Sequence, residues 1–242
     1  MLPTNPETAP APAAGTPRAS VLFVHIQKTA GMSLYNSLAQ WFGAEHSLRY
    51  PRSSQEFKDR FLRLSDADIL RFRLLSGHFE LPFWLRRELG PRFVVSVVRE
   101  PVERVLSIYR YARGWTGHQR HAEVARMSIA DFVDQHVADT ARHDWQCRKF
   151  CGAGDFAAAL AMIERHVDLV GTVERMALLT TALGERLGVT LDLRRDNISP
   201  DAHPRREDLD PALLAKLLAC NAEDRKLWSY VTERDLVRGQ RG

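Results

Sequence analysis

Residues 21–41, VLFVHIQKTAGMSLYNSLAQW, decide the fold. The first six, VLFVHI, are a short apolar run rich in β-branched side chains, the pattern of a strand buried on both faces of a parallel sheet. QKTAGMS follows as a loop. Over 33–41, Leu34, Leu38 and Trp41 then recur at helical spacing on one face. The stretch predicts strand, loop and helix in succession.

Working outward, RFVVSVVR at 92–99 is a second buried-strand candidate. Pro101 stands where the next helix begins, a position at which its missing N–H costs nothing, and that helix is expected to run to about Ala112. VDLVGTVE at 167–174 predicts a third strand, and 176–187 a helix stopped by Gly188. Further helical patterns cover 128–138, 155–166 and 207–230, and no internal repeat is present. Strands alternating with helices predict an α/β fold: a three-layer, P-loop-like domain over 21–242, its central mainly parallel sheet flanked by helices. Ligands then belong at the carboxyl ends of the strands.

A chain of 242 residues with 45% hydrophobic content can bury the core of one such domain. The net charge of +4 is carried by 29 arginines and 5 lysines, and guanidinium groups suit phosphate and sulfate. That charge is scattered, with no basic stripe interleaved with aromatics, which argues against a nucleic-acid partner. Cys147, Cys151 and Cys220 are too few for a disulfide framework, so a reducing, cytoplasmic setting is expected. No apolar run approaches the roughly 20 residues that span a bilayer. Residues 1–20, rich in Pro, Ala and Thr, read as a disordered tail, not a signal peptide. His143, Cys147 and Cys151 would share a helical face as metal ligands do, but no fourth ligand or CxxC pair accompanies them, and no metal is expected.

The loop after the first strand sets Lys28, Thr29, Gly31 and Ser33 between a strand end and a helix N-terminus, where free N–H groups and the helix dipole favour anions. It is not G-x-x-x-x-G-K-[ST], because its lysine precedes its single glycine. Taken alone, it is equally an ordinary turn. The second strand ends at Arg99, and Ser107 follows eight residues later, two turns into the next helix. An arginine there can grip a second anionic group with the serine hydroxyl donating alongside; the competing reading pairs Arg99 with Glu100 or Glu103.

Together the two segments resemble a known family. HIQKTAGMSL at 25–34 resembles the 5′-phosphosulfate loop of the sulfotransferases in its carbohydrate-type form, HIPKTGGTS or HIPKTAGTS. VVREPVERVLSIY at 97–109 resembles the same family's 3′-phosphate motif, an arginine and a serine eight apart. GHF at 77–79 resembles the segment that carries the base in the 2-O-sulfotransferase-like branch. Weaker likeness runs through FCGAG at 150–154, LVGTVERM at 169–176 and DNISP at 196–200. The chain departs from the pattern at Gln27, where proline is usual, and at Met32, where a hydroxyl residue is usual.

The resemblance implies transfer of a sulfuryl group from 3′-phosphoadenosine-5′-phosphosulfate (PAPS) to an acceptor hydroxyl, on a carbohydrate by the same likeness. Gln27, Lys28, Thr29, Ala30, Gly31, Met32 and Ser33 would cradle the 5′-phosphosulfate, and Arg99 and Ser107 would hold the 3′-phosphate. Lys28 would also stabilise the departing 3′,5′-ADP, and His78 would be the general base. His25, beside a buried strand, reads as structural. Basic His118 and His121 read as solvent-facing loop, and Tyr109, Tyr111 and Trp115 as aromatics packing a helix on the core. The rivals are an ATP- and magnesium-dependent phosphotransferase, with Glu174 as its acidic partner, and a degenerate binding module without catalysis.

Overall fold

The computed structural model describes residues 17–193 and 204–239. Among them run β1 (Ser20–Val24), α1 (Gly31–Phe42), β2 (Ser47–Tyr50), α2 (Gln55–Leu62), α3 (Asp66–Arg71), β3 (Leu74–Gly77), α4 (Leu81–Trp84) and β4 (Arg92–Val98). There follow α5 (Pro101–Gly114), α6 (His121–Val124), α7 (Ile129–Ala138), α8 (Trp145–Cys151), α9 (Phe156–His166), β5 (Leu169–Thr172), α10 (Met176–Leu187), α11 (Pro211–Cys220), α12 (Ala222–Glu233) and β6 (Val237–Arg238).

The six strands form one sheet in the order β2-β3-β1-β4-β5-β6, parallel except for the β5–β6 pair. Successive strand residues point to opposite faces, and both faces are covered. Val21, Phe23, Val95 and Val97 meet Leu34 and Leu38 of α1 and Leu179 and Leu183 of α10. Leu22, Val24, Val94 and Val98 meet α4, α8, α9 and α12 through Trp84, Phe150, Ile163 and Leu227. A separate cluster joins α5, α7 and α11 through Leu106, Phe132 and Leu217.

From β1 the chain crosses to β2 and β3 on one side, then returns over β1 to β4 on the other. The carboxyl ends of β1 and β4 therefore flank the crevice at a switch in strand order, where open α/β sheets bind ligands.

Several expectations need correction. The first strand stops at Val24, though His25 N–H still donates to Gly77 O at 3.0 Å. The third is only Leu169–Thr172, because Val173–Arg175 turn into 3₁₀ helix. The single helix expected over 207–230 is two. Asp210 caps a new start at Pro211, and Asn221 breaks the helix, its Nδ2 donating to Leu217 O at 2.9 Å. The tail assigned to 1–20 overlaps the fold at its end, since Ser20 opens β1 and Arg18 N–H donates to Leu187 O. DNISP at 196–200 lies outside the described residues.

Candidate functional site

The turn leaving β1 is the most constrained backbone of the crevice. Lys28 (φ 67°) and Ala30 (φ 56°) are both left-handed. That conformation costs a residue with a Cβ about 1–3 kcal/mol and persists only where surroundings enforce it. Thr29 lies between them, buried, and its hydroxyl donates to Ile26 O at 2.9 Å. Its hydroxyl is thus used within the turn. Ala30 is the N-cap of α1 and supplies no side-chain acceptor, and the first turn, Gly31 to Ser33, holds no acid. The orphan N–H groups and positive dipole end of α1 are uncompensated.

Gly31 is there because nothing larger fits: a Cβ would fall on Cδ2 and Nε2 of His25. That ring stacks on Phe23 at 5.2 Å and tilts against the ring of His78 at 4.4 Å. Burial, then the neighbouring His78, holds the pKa of His25 well below the usual histidine value. Met32 is likewise engaged, its Sδ accepting from Arg49 of β2 at 2.7 Å.

Lys28 Nζ stands 3.8 Å from the centre of the Tyr111 ring. Burial, then the like charges of Arg99 and Arg110, lowers its pKa to about 8. A half-buried ammonium among guanidiniums is where an anion gains most.

Arg99 joins the two halves of the crevice. Its guanidinium donates to Lys28 O at 3.2 Å and lies 3.6 Å from Glu103. Ser107 is half-buried on α5, one turn beyond Glu103. The N-terminus of α5 is itself closed, because Glu100 accepts from Glu103 N–H at 2.7 Å and pairs with Arg206 at 3.0 Å.

His78 follows β3, whose last residue, Gly77, lies so close to Tyr50 that a Cβ would sit 2.8 Å from its carbonyl oxygen. Nδ1 of His78 lies 2.9 Å from His25 O. A carbonyl only accepts, so Nδ1 carries the proton and Nε2 the basic lone pair. Burial lowers the pKa of His78 to about 4, opposed by that bond to His25 and reinforced by the charges of Lys149 and Arg49. The helix after it, α4, has Glu80 at its N-cap position.

One short helix, α8, fastens all three segments. Trp145 Nε1 donates to Gln27 Oε1 at 2.9 Å. Gln146 accepts from Arg99 N–H and donates to Arg99 O, both at 2.9 Å. Lys149 Nζ donates to His78 O at 2.6 Å and to Glu80 Oε1 at 2.9 Å. Asp224 caps the helix, accepting from the N–H groups of Gln146 and Cys147. Sequence reasoning passed over these residues. The signals near them were the helical spacing of His143, Cys147 and Cys151, and FCGAG, whose Gly152 (φ 80°) closes α8.

The remaining candidates have other partners. His143 Nε2 donates to Val137 O at 2.8 Å, and burial pushes the Cys147 thiol far above its usual range. Among the described residues no group of three or more His, Cys, Asp or Glu is arranged to hold a metal ion. Glu174 accepts from Glu100 N–H and Trp228 Nε1. His121 Nδ1 meets Ala112 O at 3.2 Å. Tyr109 packs on Phe132 in the core, whereas Tyr111 and Trp115 lie on the surface.

No protein-family model and no curated protein matches the chain. No helix among the described residues is long and apolar enough to cross a membrane.

Proposed function

We propose that the chain is a PAPS-dependent sulfotransferase built on a P-loop-like domain, acting on a hydroxyl acceptor of carbohydrate type in a reducing, cytoplasmic setting. The observation that carries this reading is the uncapped, acid-free start of α1 beside Lys28, with Arg99 donating into the same turn. Two anion subsites thereby adjoin at the switch in strand order, which suits a nucleotide with phosphate groups at both its 5′ and 3′ positions.

The residues present fit such a donor. The N–H groups at the start of α1 and the Lys28 ammonium would receive the 5′-phosphosulfate, and Arg99 with Ser107 the 3′-phosphate. Exchange of Glu103 for phosphate at Arg99 costs little, because the 3.6 Å pair is partly exposed.

In the reaction the acceptor oxygen attacks sulfur, the sulfur–oxygen bond to the 5′-phosphate breaks, and 3′,5′-ADP leaves with the bonding pair. Lys28 stabilises the charge gathering on the leaving oxygen. The acceptor proton passes to Nε2 of His78, which the His25 carbonyl holds in the required tautomer. The scheme needs no metal ion in these steps.

Thermal unfolding with added nucleotides tests the reading, because a ligand that binds the native state raises its stability. 3′,5′-ADP at 100 times its Kd adds about 2.7 kcal/mol, with or without magnesium. Stabilisation by ATP only when magnesium is present would replace this reading with phosphoryl transfer.

A further inference from the structure

Three buried polar atoms are left unsatisfied where α5, α7 and the junction of α11 with α12 come together. Nε of Arg104, Nε2 of His136 and Oδ1 of Asn221 have no hydrogen-bond partner among the described residues. Their residues are only 1%, 2% and 0% exposed, so bulk solvent does not serve them. A native interior leaves few such groups without a partner from the protein or from ordered water. The apolar cluster of Leu106, Phe132 and Leu217 packs the three elements against one another. The charge of Arg104 reaches His136 on one side and Cys220, the neighbour of Asn221, on the other.

Asp224, fully buried in α12, supplies the balancing charge. Burial pushes its carboxyl up, and Arg104 is the first influence to oppose that. The two Asp224 oxygens accept from the N–H groups of Gln146 and Cys147 at 2.9 and 2.8 Å. Asp144, just ahead of α8, accepts in turn from the N–H groups of Glu223 and Asp224 at 2.8 and 3.0 Å. The starts of α8 and α12 thus cap each other, with the buried Arg104 cation as their counter-charge.

We propose that Arg104, His136 and Asn221 form an internal water site, whose one or more water molecules bridge α5 to α7 and to the α11–α12 junction. Arg104 Nε only donates and Asn221 Oδ1 only accepts. Water does both, whereas an inorganic anion would leave Asn221 unpaired, and Asp224 already balances the Arg104 charge. The water bonds seat Arg104 against Asp224 and hence α5 against α8, the helix whose Gln146 holds Arg99 by two hydrogen bonds. This inference is independent of the reaction assigned to the crevice.

The test is a high-resolution crystal structure of the full chain, purified and crystallised in sodium bromide, with anomalous data at the bromine edge. The expected result is a density peak within about 3.2 Å of Arg104 Nε and of His136 Nε2 or Asn221 Oδ1, with no anomalous signal. Empty density there overturns the proposal. A bromide peak overturns it in favour of an anion site.

Denaturant unfolding of Arg104→Met, Asp224→Asn and the double variant gives a second readout. Each single change strands a buried charge and lowers the midpoint, and the double variant recovers part of the summed loss. Losses that simply add would overturn the pairing of Arg104 with Asp224 that the water is proposed to hold.

Discussion

Lys149 Nζ, fully buried on α8, donates to the main-chain carbonyl of His78 at 2.6 Å. It therefore fixes the segment that carries the candidate base, and its charge helps to keep His78 unprotonated. In the proposed mechanism neutral His78 is the reactive form, so turnover is expected to fall as pH drops through its folded pKa. The acid limb of kcat/KM is expected near pH 4, well below the ordinary histidine value of about 6.5. Lys149→Met leaves Glu80 without its buried partner, lowers kcat at least tenfold and moves the acid limb upward. A merely structural role would lower the amount of folded protein without moving the limb, and His78→Ala would remove turnover while sparing 3′,5′-ADP affinity.

Lys28 supplies a second pH dependence, of opposite sense. Its pKa of about 8 in the free protein rises when an anion binds, so binding carries proton uptake once the pH exceeds 8. 3′,5′-ADP phosphates are fully ionised in that range. Its affinity is expected to hold steady between pH 7 and 7.5 and then to fall by up to tenfold per unit above pH 8. Lys28→Met binds more weakly throughout and loses the dependence. Calorimetric titration from pH 7 to 9.5 checks both.

Which parts of this arrangement can be read from the sequence follows from how local their causes are. β1, β4 and α10 declare themselves because strands buried on both faces are unbroken apolar runs, and a glycine ends the helix at Gly188. β2 and β3 are four residues each, SLRY and LLSG, too short for a periodic signal. Ser54 and Ser65, which cap α2 and α3, were the available marks of those short helices. Lys28, Arg99 and Ser107 were legible as chemistry placed after strands. The roles of Trp145, Gln146 and Lys149 were not, since each depends on a partner 47 to 118 residues away.

The close approach at Gly31 gives a stability prediction independent of function. Gly31→Ala drives a methyl group into the His25 ring, which Phe23 and His78 hold in place. Overpacking of this kind costs about 1–3 kcal/mol. Denaturant unfolding is expected to show that loss, and His25→Ala in the same chain is expected to recover part of it. Additive losses in the double variant would mean that the two residues do not clash.

In the proposed function Arg99 reads a 3′-phosphate beside an α1 cradle for the 5′ group. Calorimetric titration of the native chain and of Arg99→Ala with 3′,5′-ADP and 5′-ADP tests it most directly. The native chain is expected to prefer 3′,5′-ADP by at least a hundredfold, and Arg99→Ala to bind both nucleotides alike. Equal affinity of the native chain for the two, or a preference that survives Arg99→Ala, would contradict it.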